Sequence, residues 1–202
     1  FLNGICTDRS VLRLNGKALA DAFQRKIHLM HNPSDGIVLD LLECVVGLTL
    51  QPISTLESSV AYILEESLNK HKKVILIAHS QGGIIATSAM HTLSKQLGDN
   101  KKKLLKKLEV YTFASAATEF PFPEIYSEHF SHTGDYVARI GVAGNRSEFS
   151  GKIFDYEATG HLLNAHYLRH LTENKFQSNS GLKSRLYGKI TAARKFARSN
   201  MQ

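Results

Sequence analysis

Lys72–His91, KKVILIAHSQGGIIATSAMH, is the stretch from which the rest of the chain is read. Val74-Ile75-Leu76-Ile77 is a short, largely β-branched apolar run, as a buried parallel strand requires. It leads into Ala78-His79-Ser80-Gln81-Gly82-Gly83, after which Ile84, Ile85, Ser88 and Ala89 recur at helical spacing. A serine hydroxyl is a weak nucleophile, and a sharp strand-to-helix turn is the context that holds its oxygen out to a base. The turn is so tight that the residues two before and two after the serine must be small. Here they are Ala78 and Gly82, so G-x-S-x-G is met except for one methyl group in its first place. The following helix puts its positive end beneath Ser80, which favours negative charge on a carbonyl oxygen bound there. The competing reading is an ordinary Gly-rich nucleotide-binding turn, but G-x-G-x-x-G and G-K-[ST] are both missing. His79 is expected on the other side of the turn, packed or hydrogen-bonded, and not as the base.

Bulk properties narrow the class. The 202 residues suffice for one well-buried domain and not for two of ordinary size, so 1–202 is read as a single domain. Hydrophobic residues at 43% and charged residues at 21% exclude a disordered chain. No apolar run is long enough to span a bilayer. The chain begins Phe1-Leu2 without a methionine, so the native N-terminus is expected upstream and no compartment is assigned. Cys6 and Cys44 read as free buried thiols. No Cys/His cluster has zinc spacing, and His28 and His31 lack further ligands, so neither metal nor cofactor is expected. The net charge of +7 is concentrated in Lys101-Lys102-Lys103 with Lys106 and Lys107, and in Lys183–Arg198, which has six Lys or Arg and no acid. Solvated surface is the default reading of such blocks, and no nucleic-acid partner is expected.

In order along the chain, FLNG reads as a strand ending at Asn3-Gly4, and Ser10–Lys26 as a helix capped by Asp8 or Ser10. Ile27–His31 should be the next strand, closed by the turn residues Asn32-Pro33-Ser34-Asp35-Gly36. Gly36–Leu50 is unusually apolar, with Asp40 and Glu43 its only charges. It reads as a core helix or, alternatively, as a lid or acyl-pocket wall over Ser80. Thr55–Lys70 is an amphipathic helix. Gly98-Asp99-Asn100 and the lysine block mark a surface connection. Further strands are expected at Leu108–Ala114, Glu124–His132 and Gly151–Tyr156, and a helix begins within Leu163–Leu171.

AHSQGG behind an apolar strand resembles the α/β-hydrolase superfamily, in particular its lipase- and esterase-like members. The likeness runs from FLNGI to GHLLNAHYL near residue 161. It implies a serine hydrolase cleaving carboxylic esters, lipid esters among them. It also implies an α/β fold with a mostly parallel sheet of about six strands and helices on both faces. The short link Ala116–Pro123 leaves no room for a large cap domain. In such relatives the loop after an Asn-Gly strand end supplies an oxyanion-hole amide, so by resemblance the backbone N–H of Ile5 would join that of Gln81.

The strand and helix alternation independently argues for a parallel sheet whose site lies beyond the carboxyl ends of its strands. Ser80, Asp135 and His161 each follow a predicted strand, in the Ser, Asp, His order of α/β-hydrolases. His161 would take the Ser80 proton and return it to the leaving alcohol, while Asp135 orients the imidazole and stabilises its cation. His166 and His170 are rivals for the base, but they fall where a helix begins. Glu119 is the fallback acid. Asp155 falls within a strand, and His132 reads as structural. The reading requires the Ser80 oxygen to be unburied, with an imidazole within reach. The C-terminal basic helix, about 182–201, carries Leu182, Leu186, Ile190, Ala193 and Ala197 at helical spacing. It packs on its own domain or lies on an anionic membrane surface. The alternative function is a non-catalytic scaffold using the basic surfaces. Oligomeric state is left unassigned.

Overall fold

The computed structural model describes residues 1–4, 8–32, 53–97, 101–178 and 181–199. Helix α1 (Arg9–Phe23) starts at Asp8, whose carboxylate accepts the Val11 N–H at 2.8 Å. There follow α2 (Ile53–Lys70), β1 (Val74–His79), α3 (Gly82–Gln96), the short α4 (Lys101–Leu105) and β2 (Leu108–Phe113). The second half contains β3 (Tyr126–His132), α5 (Tyr136–Ile140) and β4 (Lys152–Tyr156). A π-helical turn (Leu163–Tyr167) then continues as α6 (Leu168–Thr172), before β5 (Gln177–Ser178) and α7 (Arg185–Ser199). The sheet order is β1-β2-β3-β4-β5, parallel throughout except for β5, which runs antiparallel to β4.

Strand periodicity divides the apolar residues between two cores, one on each face of the sheet. Leu76, Ala78, Leu108 and Val110 pack with Val60, Leu64 and Leu68 of α2 and Ile85, Ala89 and Leu93 of α3. Ile77, Tyr111 and Phe113 pack with Leu12 and Leu19 of α1, Leu168 and Leu171 of α6, and Leu186 and Ile190 of α7. Phe113, Phe130 and Phe154 occupy paired register positions on adjacent strands and stack at 4.9 and 5.3 Å between centroids. Each such pair adds about 0.5–1.5 kcal/mol beyond burial. A slip of one residue would turn the ladder to the other face, so it also fixes which strand ends meet at the rim.

The sheet has five strands where about six were expected. The segments 1–4 and 27–31, predicted as strands, each contribute a single bridging residue among the described residues: Leu2 pairs with Ala78 of β1 and with Met30. Among the described residues their bridges are to each other and to the end of β1. The unforeseen β5 is two polar residues long, too short for any periodicity. A short helix, α4, stands in the lysine block, where the sequence predicts a plain connection, with Leu105 as its buried anchor. The link from β2 to β3, residues 114–125, carries no inserted domain. Gly36–Leu50, Cys6 and Cys44 lie outside the described residues.

The start of α7 is fixed at the amino ends of the strands. The buried Glu128 carboxylate accepts the Arg185 and Leu186 N–H groups and the Ser184 hydroxyl. It thereby serves as an N-terminal cap from another element. Beside it, Glu109 is 2% exposed and paired with Lys73, Arg185 and Lys189 at 2.7–3.0 Å. Burial alone would raise the Glu109 carboxyl, but the hydrogen bonds from Lys73, Tyr111 and Lys189 hold it down to about 2. Two cations of the basic helix are therefore committed to a buried acid. Leu186 and Ile190 pack inward, whereas Leu182 and Phe196 are exposed.

Candidate active site

Ser80 sits between β1 and α3 with φ at 59°, the left-handed region that a non-glycine residue adopts only under constraint. The constraint is visible in the backbone. Ser80 N–H donates to Phe113 O at 2.9 Å, and Ser80 O accepts from Gly83 and Ala116 N–H at 2.9 and 3.2 Å. The absence of a side chain at position 82 is required, because a Cβ there would lie 2.8 Å from the carbonyl oxygens of Leu2 and Asn3.

His161 and Asp135 meet Ser80 at this rim. His161 Nε2 lies 2.9 Å from Ser80 Oγ, and His161 Nδ1 lies 2.8 Å from Asp135 Oδ2. A carboxylate can only accept, so the proton sits on Nδ1 and the Nε2 lone pair is left for the Ser80 hydroxyl proton. Asp135 is 3% exposed and has four donors. Oδ2 accepts from His161 and from the Tyr167 hydroxyl at 2.8 Å, while Oδ1 accepts from Val137 and Ala138 N–H at 2.9 and 3.4 Å. Burial pushes its carboxyl up, but the His161 hydrogen bond and charge, with those of Tyr167 and the Ala138 amide, outweigh this and keep it below its ordinary value.

The surrounding groups hold this chain still. The Tyr167 hydroxyl accepts His132 N–H at 2.9 Å, and its ring stacks on His132 at 3.9 Å. Burial, then the Asp135 charge, raises the phenol well above its ordinary value, so it stays a donor. His79 Nε2 lies 2.7 Å from His161 O, and its ring is 4.8 Å from that of His161. Burial lowers His79 to about 3, so it is neutral and donates from Nε2. It supports the base from behind.

The rivals lie elsewhere. His166 Nδ1 accepts Leu162 N–H at 3.0 Å, and His170 Nδ1 meets His132 Nε2 at 3.0 Å. His132 in turn donates from Nδ1 to Gly160 O at 3.0 Å. Glu119 is exposed and pairs with His91, and Asp155 lies in β4, paired with Arg146. Gln81 is placed at the start of α3, while Ile5 lies outside the described residues. Among the described residues no group of three His, Cys, Asp or Glu could hold a metal ion.

One requirement drawn from the sequence is not met: Ser80 is only 2% exposed. The turn presents its oxygen to the imidazole and not to bulk solvent. Gly4 lies against it so closely that a Cβ there would be 2.5 Å from Ser80 Cβ and 3.0 Å from Oγ. This close approach of Gly4 to the serine is invisible in the elbow motif itself. His161, whose side chain is 33% exposed, is the part of the chain that faces outward.

A family model described as "Putative serine esterase (DUF676)" matches residues 19–122, just over half of the chain. The chain belongs to this family. As a member of this serine esterase family it is a hydrolase. The matched part includes Ser80 and its turn, whereas Asp135 and His161 lie beyond it. A crystal structure of a "putative hydrolase of the alpha/beta superfamily" from Xanthomonas campestris pv. campestris superposes with a TM-score of 0.50 at 16% identity. It covers 98% of this chain and 96% of that one. The fold is therefore that of the α/β-hydrolases, with a five-stranded sheet. No curated protein matches the chain.

Proposed function

We propose that this serine esterase family member hydrolyses carboxylic esters through an acyl-enzyme intermediate on Ser80. The Ser80 oxygen attacks the ester carbonyl as His161 Nε2 takes its proton. Asp135 balances the imidazolium, and the proton passes to the leaving alkoxide, which departs as an alcohol. Water then attacks the acyl-enzyme with His161 again as base, releasing the acid and restoring Ser80. The peptide N–H of Gln81 would stabilise the negative oxygen in both steps. One observation carries the reading: an unbroken chain of 2.9 and 2.8 Å from a serine in the left-handed region through His161 to a buried carboxylate. A lipid-like acyl group is the favoured substrate class, since the residues directly after Asp135 and His161 are the exposed apolar Tyr136 and Leu162.

A fluorophosphonate probe and a series of p-nitrophenyl esters test this. Wild type should be labelled once and should turn over the series, with longer acyl chains preferred. Ser80→Ala should lose labelling and turnover while unfolding at the same temperature. A folded wild type that neither labels nor hydrolyses any member of the series would instead support a scaffold that has kept the fold without the reaction.

A further inference from the structure

Two carboxamides whose hydrogen bonds go to neither Ser80 nor His161 are buried beside the elbow. Asn3 is 0% exposed and Asn32 is 7% exposed. Asn3 Nδ2 donates to Gly4 O at 2.7 Å and to Asn32 O at 3.3 Å, and its Oδ1 accepts Asn32 N–H at 2.7 Å. Asn32 Nδ2 then donates to Gln81 Oε1 at 2.6 Å. Three segments far apart in sequence are thus joined through amide groups: the strand end at 3–4, the bridge region at 30–32, and the residue after Ser80. Leaving one such buried amide unpaired costs about 1–3 kcal/mol, so the groups hold one another in a single arrangement.

The joint ends on the residue whose peptide N–H follows the nucleophile. Gln81 is 9% exposed, and its side chain makes no hydrogen bond capping α3. It is directed to Asn32. Donors to a developing oxyanion act only when fixed in advance, and a misplacement of about 1 Å can cost roughly 100-fold in rate.

We propose that Asn32 is a positioning residue of the oxyanion hole: through the Gln81 side chain it fixes the Gln81 peptide, and Asn3 clamps Asn32 in turn. The inference rests on Ser80 acting as the nucleophile of acyl transfer.

Asn32→Leu and Gln81→Leu each remove the Asn32–Gln81 bond, and the first leaves both bonds with Asn3 in place because Asn32 makes them with its backbone. kcat and KM for p-nitrophenyl acetate are measured per fluorophosphonate-labelled site, together with inhibition by phenylboronic acid, whose tetrahedral serine adduct places an oxygen where the oxyanion forms. Each variant should lose about 10- to 30-fold in kcat and a similar factor in boronate affinity, with KM within about twofold. The double variant should be no worse than either single one. Unchanged kcat and boronate affinity, a change confined to KM, or single effects that multiply would each overturn the role. A purely structural asparagine would shift the unfolding temperature and leave boronate affinity alone. Should Asn32→Leu fail to fold, Gln81→Leu carries the same outcomes. Failure of wild type to label removes the Ser80 reading itself, whereas normal wild type with unaltered variants removes only Asn32.

Discussion

Buried carboxylates stand at both ends of the sheet, and their environments differ in kind. At the amino ends of β2 and β3, Glu109 faces three fixed cations, Lys73, Arg185 and Lys189, and Glu128 caps α7. At the carboxyl rim, Asp135 pairs with no Lys or Arg among the described residues. It is held by two backbone amides, a phenol and an imidazole. A carboxylate already matched by permanent positive charge contributes to the fold and has nothing left for a reaction. One held by donors that carry no permanent charge keeps its own for the moment an adjacent imidazole becomes a cation. The same residue class thus anchors a helix at one end and is poised for chemistry at the other.

The sharpest way to break this comparison is at the rim. His161→Ala and His166→Ala should be compared at equal folded concentration. The first should lose about 10⁴-fold or more in kcat/KM, while the second retains most of it, because His166 is turned to accept Leu162 N–H and not to Ser80. If only His166→Ala abolished turnover, the base would be misassigned. Asp135→Asn follows, with about 10³- to 10⁴-fold expected in kcat, since a neutral amide can neither select the Nδ1–H tautomer nor balance an imidazolium.

At the opposite end the effect should fall on stability and spare the rate. Glu109 is held down to about 2 from an ordinary 4.5, so its contribution is complete above the higher value and is lost as pH falls through the lower. Glu109→Gln should therefore cost on the order of 3 kcal/mol of unfolding free energy at pH 7, read by urea denaturation. The variant's stability should then decline less steeply than wild type between pH 4.5 and 2, with kcat/KM at pH 7 unaltered. A Glu109→Gln protein that lost turnover while still folded would mean that the two ends of the sheet are not independent.

How far the sequence carries this contrast depends on the range of the signal. The turn at Ser80 is local: an apolar strand, small flanking residues and a helical repeat all lie within twenty residues, and that pattern survives into β1 and α3. The four parallel strands of the sheet were likewise anticipated, at Val74–Ile77, Leu108–Ala114, Glu124–His132 and Gly151–Tyr156. Ser80, Asp135 and His161 could be nominated because each follows such a run, and the structure brings the three within hydrogen-bond distance. What could not be read depends on distant pairing. Asn32 looks like the first residue of a solvated Asn-Pro-Ser-Asp-Gly turn, and only its partners Asn3 and Gln81 reveal a buried joint. Glu109 and Glu128 sit at alternating strand positions that sequence assigns no cation, because Lys73, Arg185 and Lys189 come from other elements. Gly4, which packs directly against Ser80, is 76 positions away in the chain.

Tyr167 is a second case of distant pairing, and it supplies the smallest effect that still separates the two ends. In sequence it is one aromatic in a helical stretch; in the fold its hydroxyl joins Asp135 Oδ2 to the His132 N–H. Tyr167→Phe keeps the ring stacked on His132 and removes one of four donors from the carboxylate. The expected loss is about 5- to 10-fold in kcat, roughly the 1–1.5 kcal/mol of a single hydrogen bond, with a modest drop in unfolding temperature from the unpaired His132 amide. If the hydroxyl works through Asp135, the rate penalty should disappear when Tyr167→Phe is made on the Asp135→Asn background. A penalty that persists undiminished there would separate the tyrosine from the carboxylate and leave it only the task of packing the rim, as Phe113 and Phe130 do beneath it.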